Sequence, residues 1–241
     1  MNSENNSVTM TRDRVLKPGM FDDDAAANTR RVEFDYGNES LMLTDVRPDV
    51  LFIGDSITHL WELQAYFGGT GRILVNRGIG GDISAHVRRR FAADALQLRP
   101  HAIVLKIGTN DLGWEPAALN DALSDVVCDN IAAMTREARA ADIRMMVCSL
   151  LPVWGPSWLS DADAAVFAPR KNAQIAAINA RLRAMAAAEG AIYVDYHAEM
   201  ADADGLLIRE LADDGVHPHH AGYALMARVL RRALADDGMV L

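Results

Sequence analysis

From Asp49 onward the chain alternates short apolar runs with longer segments of helical periodicity, and this alternation limits the possible folds more than any other feature. The runs at residues 50–53, 73–75, 102–107, 145–148 and 192–194 have the length of strands. Between and after them lie helical segments at 83–98, 116–141, 170–189 and 219–235. Strands separated by helices pair in parallel, and near-continuous Val, Ile and Leu content marks strands covered on both faces. Right-handed crossovers then predict an α/β fold: a three-layer α/β/α sandwich around a five-stranded parallel sheet, flavodoxin-like in class. In the third helical segment Ile175, Ile178, Leu182 and Met185 recur at three- and four-residue spacing, so they read as core.

Residues 1–48 differ from the rest. They are polar, broken by Pro18, Gly19 and the acidic run Asp22-Asp23-Asp24, with a short strand pair expected around 32–34 and 41–43. They read as an N-terminal extension, which leaves 49–241 as the domain. At 241 residues and 50% hydrophobic content, a single large core is the expectation.

A formal net charge of -9 argues against a nucleic-acid partner and against adsorption to anionic membranes, because both need clustered Lys and Arg. Neutral or cationic small molecules fit better. Cys128 and Cys148 both lie in apolar surroundings, so they read as buried thiols rather than a disulfide framework. The polar start Met1-Asn2-Ser3-Glu4 has no signal-peptide pattern, and no run approaches eighteen apolar residues, so a cytoplasmic protein is expected.

The polar signals gather where an open parallel sheet places its ligands, past the carboxyl ends of the strands. The first run leads into Gly54-Asp55-Ser56, the second into Asn76-Arg77-Gly78-Ile79-Gly80-Gly81-Asp82, and the third into Gly108-Thr109-Asn110-Asp111. A serine, a glycine amide and an asparagine amide can therefore meet at one substrate atom, the inventory of an oxyanion site. About one hundred and sixty residues after the serine comes Asp214-Gly215-Val216-His217, whose histidine can be oriented by a neighbouring acid. Taken alone, each element has a plainer reading. Ser56 can cap a helix, the glycines can form a tight turn or cradle a phosphate, and His217, His219 and His220 can suggest a metal, although Pro218 interrupts them and no thiolate is near. Their convergence favours catalysis.

These four blocks, in this order, resemble those of the SGNH/GDSL hydrolase family. The stretch from Ser56-Ile57-Thr58 to Trp61 and the glycine-rich block are more similar to the branch containing the platelet-activating-factor acetylhydrolase catalytic subunits. The resemblance implies a serine esterase without cofactor or metal. It implies Ser56 as nucleophile, His217 as general base and acid, and Asp214 as the residue orienting His217. Asp213 is a rival by chemistry alone, and the family's three-residue spacing selects Asp214. The oxyanion donors implied are the amides of Ser56 and Gly81 and the side chain of Asn110.

The chemistry requires these types in any case. A serine hydroxyl needs a base near neutrality, which histidine supplies, and the tetrahedral oxyanion needs aimed N–H donors. Asp55 and Asp82 read as supporting carboxylates bonded to amides of their own loops, with Asp55 also a candidate substrate-binding residue. Trp154 and Trp158, on the long connection after the fourth run, are candidates to floor a sugar or acyl site, and Trp61 and Trp114 to wall it. No long apolar lid segment is evident, so a small ester with a short acyl group is the expected substrate. A thioesterase, a lysophospholipase, a non-catalytic ligand-binding module on the same fold and a flavodoxin-like nucleotide binder are the alternatives. The polar N-terminus and the tail Gly238-Met239-Val240-Leu241 are candidates for packing on a second copy in a homo-oligomer.

Overall fold

The computed structural model describes residues 14–114, 121–236, 238 and 240–241. The apolar runs form β1 (Val50–Gly54), β2 (Leu74–Gly78), β3 (Ala102–Lys106), β4 (Arg144–Cys148) and β5 (Ile192–Val194). They pair in parallel in the order β2-β1-β3-β4-β5. Helices cover both faces in the expected three-layer α/β/α arrangement: α1 (Arg31–Leu43), α2 (Ser56–His59), α3 (Leu63–Phe67), α4 (Ser84–Asp94), α5 (Asp121–Ala140), α6 (Asp161–Glu189), α7 (His197–Met200) and α8 (His220–Asp236). The strand order reverses direction between β1 and β3, and in open α/β sheets that switch point is where ligands bind.

Two cores follow from the alternation of side chains along each strand. Val50, Phe52, Val104 and Met146 face α3 and α8, packing with Phe67, Tyr223, Met226 and Leu230. Leu51, Ile53, Ile103 and Leu105 face α4, α5 and α6, packing with Phe91, Ile131, Ile175, Ile178 and Leu182. Burying each large apolar side chain contributes about 1.5–3 kcal/mol before ordering entropy is subtracted. The tail also reaches the first core, where Leu241 is buried.

Three expected elements differ, at residues 32–43, at the end of β2 and at the start of the helix expected from 170. Residues 32–34 and 41–43 are not strands but lie in α1, whose inward face carries Arg31, Phe34 and Asn38. That face is largely polar, so its three- and four-residue spacing carries no apolar periodicity. The described part of the extension is bound into the domain: the Arg31 guanidinium donates to Asp94 of α4 at 2.7 and 2.5 Å, with both side chains buried. Asn76, Arg77 and Gly78 complete β2 rather than a turn, since β2 is an edge strand and tolerates polar residues.

The helix expected from 170 begins at Asp161 and runs through Pro169. The Ser160 side chain caps its start by accepting from the Asp163 amide at 3.2 Å, with Asp161 and Asp163 in the first turn. Phe167 and Ala168 are buried against Val153 and Val216, which offsets the hydrogen bond lost at the proline. Positions 116–120 of the helix expected from 116 lie outside the described residues.

Candidate active site

β1 ends at Gly54, where an added Cβ would stand 2.0 Å from the Lys106 carbonyl oxygen of β3, so only glycine allows the strands to close here. The next residue, Asp55, caps α2: its Oδ1 accepts from the Ile57 amide at 3.0 Å, and its Oδ2 accepts from Lys106 Nζ at 3.0 Å. Asp55 is fully buried, so it does not line a substrate site as expected. It fixes the serine turn instead.

Ser56 opens α2, and its Oγ lies 2.8 Å from His217 Nε2. His217 Nδ1 is 2.6 Å from Asp214 Oδ2, while Asp214 Oδ1 accepts from the amides of Val216 at 2.9 Å and His217 at 2.7 Å. Burial alone would raise the Asp214 carboxyl, but the His217 ring and these two amides outweigh it and hold the group below its ordinary range. Asp213 points away, with an 89% exposed side chain 3.9 Å from His219. The loop carrying the acid and histidine is pinned by the chain after β4: Trp154 N donates to the Gly215 carbonyl at 3.2 Å, and Ser157 N to that of Asp214 at 2.9 Å. Gly215, at φ 84°, leaves no room for a side chain against Gly155.

The glycine turn stands beside the serine. A Cβ at Gly80 would lie 3.9 Å from Ser56 Cβ, and Gly81 takes the left-handed conformation at φ 78°. Gly80 N donates to His59 Nδ1 at 3.3 Å. No acceptor among the described residues takes the amide N–H of Ser56 or of Gly81. Asn110 closes the site. Its Oδ1 accepts from Trp114 Nε1 at 3.1 Å and its Nδ2 donates to the Asp82 carbonyl at 2.9 Å, which leaves one amide hydrogen unassigned. The structure thus gathers all of the expected serine, glycine, asparagine, histidine and acid groups at the carboxyl edge of β1, β2 and β3.

The tryptophans divide. Trp61 is buried at the centre of an aromatic cluster with Phe52, Phe67 and Tyr223, so it is core rather than wall. Trp154 packs behind Gly215 with the Arg209 guanidinium 4.4 Å above its ring, which makes it support for the histidine loop rather than an open floor. Trp158 is 52% exposed and stands edge-on to Trp114 at 5.4 Å, so this pair extends from Asn110 to the surface.

Buried ions, not apparent from the turn residues alone, hold these turns. Asp82 Oδ1 accepts from the Ile83 amide at 3.1 Å, its Oδ2 accepts from Arg90 at 2.9 Å, and Arg90 also donates to Asp94 at 3.1 Å. Asp111 accepts from the Ser84 amide at 3.0 Å, and burial raises its carboxyl despite the bonds from Ser84. Lys106 was visible as a lone lysine within an apolar strand, which requires a buried partner. A cavity of about 630 Å³ lies at the opposite edge of the sheet, lined by Arg72, His101, Arg139, Arg144 and Leu241, away from Ser56.

Comparison with known proteins agrees with this geometry. The model of the GDSL-like lipase/acylhydrolase family matches residues 52–225. The chain is 29% identical over 202 residues to the human platelet-activating factor acetylhydrolase IB subunit alpha1, covering 80% of each chain. A GDSL-like lipase from Bacteroides thetaiotaomicron superposes with a TM-score of 0.71 at 28% identity, covering 88% of this chain and 99% of that one. A catalytic mutant of an acetylxylan esterase from Geobacillus stearothermophilus shares the fold, with a TM-score of 0.59, 21% identity and coverage of 77% and 93%. With its sheet, its ordered blocks and most of its length accounted for, the chain belongs to the GDSL-like lipase/acylhydrolase family and is a carboxylic ester hydrolase.

Proposed function

We propose that this hydrolase is a serine esterase that removes short acyl groups, acetyl foremost, from a soluble alcohol or carbohydrate through an acyl-Ser56 intermediate. The observation that carries the reading is the unbroken chain from Ser56 Oγ through His217 to Asp214, at 2.8 and 2.6 Å. Ser56 Oγ attacks the ester carbonyl as His217 Nε2 takes its proton. The carbonyl oxygen becomes an oxyanion, met by the Ser56 and Gly81 amides and the remaining N–H of Asn110. The C–O bond to the alcohol breaks, His217 returns the proton to the leaving oxygen, and acyl-Ser56 remains. Water then adds with its proton passing to His217, and collapse releases the carboxylic acid and restores the serine hydroxyl.

The acetyl preference is supported by the relatives named acetylhydrolases and by the acetylxylan esterase among the structural neighbours. The exposed Trp158 edge beside Trp114 offers an apolar wall for a sugar or a small alcohol. A panel of p-nitrophenyl esters of increasing acyl length tests this, with Ser56→Ala as the control. Acetate is expected to give the highest kcat/KM, and a large preference for octanoyl or longer esters would refute the short-acyl assignment. A fluorophosphonate should label wild type at Ser56 and leave Ser56→Ala unlabelled. If a folded wild-type sample resists labelling, the acyl-serine mechanism fails.

A further inference from the structure

A second buried lysine grips the 108–111 turn, and the proposed chemistry does not use it. Lys171 of α6 is fully buried. Its Nζ donates to the carbonyls of Thr109 at 3.1 Å and Gly113 at 2.6 Å, and lies 4.6 Å from the Trp114 ring centre and 5.6 Å from that of Phe167. The two acceptors bracket Asn110. Gly113 N in turn donates to the Asn110 carbonyl at 3.1 Å, and the Trp114 indole donates to Asn110 Oδ1. With a donor occupying Oδ1, the amide can point only Nδ2 toward Asp82 and the cleft. Lys106 holds the same turn from the other side, through Thr109 Oγ1 at 2.8 Å.

We propose that Lys171 is a positioning residue for ester hydrolysis, whose ammonium clamps both ends of the 109–113 turn and the Trp114 ring so that the remaining Asn110 N–H meets the oxyanion. The inference rests on the acyl-Ser56 reading. An ammonium has three N–H groups, and two carbonyls and a ring face take all three, whereas a neutral amine turns a lone pair into this donor-poor pocket. Two charged groups face it among the described residues: Asp111 of the turn favours the ammonium, and Lys106 of β3 opposes it. Burial is the largest influence and pulls Lys171 down to about 7. The clamp therefore weakens as pH rises through the range in which a histidine base is active.

The test is the pH dependence of kcat and KM on p-nitrophenyl acetate over about pH 5 to 10. Wild type, Lys171→Met and Lys171→Arg are compared, with thermal unfolding to establish that each is folded. Wild-type kcat is expected to decline on the alkaline side. Lys171→Met should lower kcat about tenfold to a hundredfold while KM changes little, because misplacing a catalytic group by about 1 Å costs this much. It should also lack the alkaline decline. Lys171→Arg, which stays protonated throughout, should keep most of the activity and carry it to higher pH. The inference is overturned if Lys171→Arg retains the wild-type decline, or if Lys171→Met matches wild type in kcat and profile. Should neither variant fold, a wild-type kcat that stays flat above about pH 7 overturns it alone. Full turnover by Ser56→Ala would sink the acyl-serine reading whatever the lysine variants do. An inactive Ser56→Ala with unchanged lysine variants would sink only this inference.

Discussion

Asp55 and Lys106 form an ion pair of 3.0 Å directly beneath the serine turn, with side chains only 1% and 3% exposed. The pair ties the end of β1 to the end of β3, and through Thr109 it ties the nucleophile's turn to that of Asn110. Breaking such a pair from one side strands a buried charge, at a cost of about 3–5 kcal/mol. Lys106→Met should therefore lower the unfolding free energy measured in urea by an amount of that order. Adding Asp55→Asn should recover much of the loss, since an asparagine Oδ1 still accepts from the Ile57 amide. Equal midpoints for wild type and Lys106→Met would show the pair to be dispensable.

In the proposed mechanism Asn110 meets substrate charge that develops only in the transition state. Asn110→Ala should lower kcat about a hundred- to a thousandfold with little change in KM. Trp114→Phe removes the donor that sets the Asn110 amide, at 3.1 Å, but leaves the amide in place. Its loss should be smaller, about tenfold, because the misplaced group remains available. Steady-state kinetics on a short ester check both. A loss confined to KM in Asn110→Ala would place the residue in ground-state binding instead.

The strands and the turns that follow them could be read from the chain because both rest on local pattern. Apolar runs mark strands, and Ser56, Gly81, Asn110 and His217 follow recognisable turns in sequence. α1 escaped because Phe34 is the one apolar side chain among the four it buries, and Arg31 and Asn38 find their partner Asp94 63 and 56 residues away. A polar face neutralised at long range carries no periodic apolar signal. Asp55 was legible in part: its bond to a loop amide is present at Ile57, but only the lysine from β3 reveals that it faces inward rather than toward substrate. Trp61 and Trp154 likewise could not be told from Trp158 by type, since burial depends on which strand or loop lies behind each ring.

The Arg31 guanidinium joins α1 to a buried chain that continues through Asp94 and Arg90 to Asp82, the residue after Gly81. Burial raises the Asp82 carboxyl even though Arg90 favours its charged form, whereas Arg31 and Arg90 together outweigh burial and hold Asp94 below its ordinary range. Arg31→Met is expected to destabilise the fold by about 3–5 kcal/mol. It should also reduce kcat well below the melting transition, because Arg90 can then relax away from Asp82. Differential scanning calorimetry and kinetics at low temperature check the two effects. An unchanged midpoint would mean that the Arg31–Asp94 pair contributes nothing to the domain's stability.

Under the proposed mechanism Asp214 joins catalysis to acid stability through one carboxylate. Burial opposes its charge, and the His217 ring with the His217 and Val216 amides more than compensates, so its folded-state value lies below the ordinary one. A carboxyl depressed in this way stabilises the fold above its unfolded value near about 3.9, and that contribution disappears as pH falls through the lower folded value. The side chain is 32% exposed, so solvent screening keeps the contribution small. Asp214→Asn should lower kcat about ten-thousandfold by losing the acceptor that sets the histidine tautomer. Its melting temperature should trail wild type near neutrality, and the gap should close as the solution is acidified below the ordinary carboxyl range. Asp213→Asn, altering a side chain that is 89% exposed and 3.9 Å from His219, should leave both kcat and the melting curve unchanged. A stability gap for Asp214→Asn that stays constant from neutral to strongly acidic pH would show that the His217 contact and the two amides do not depress this carboxyl.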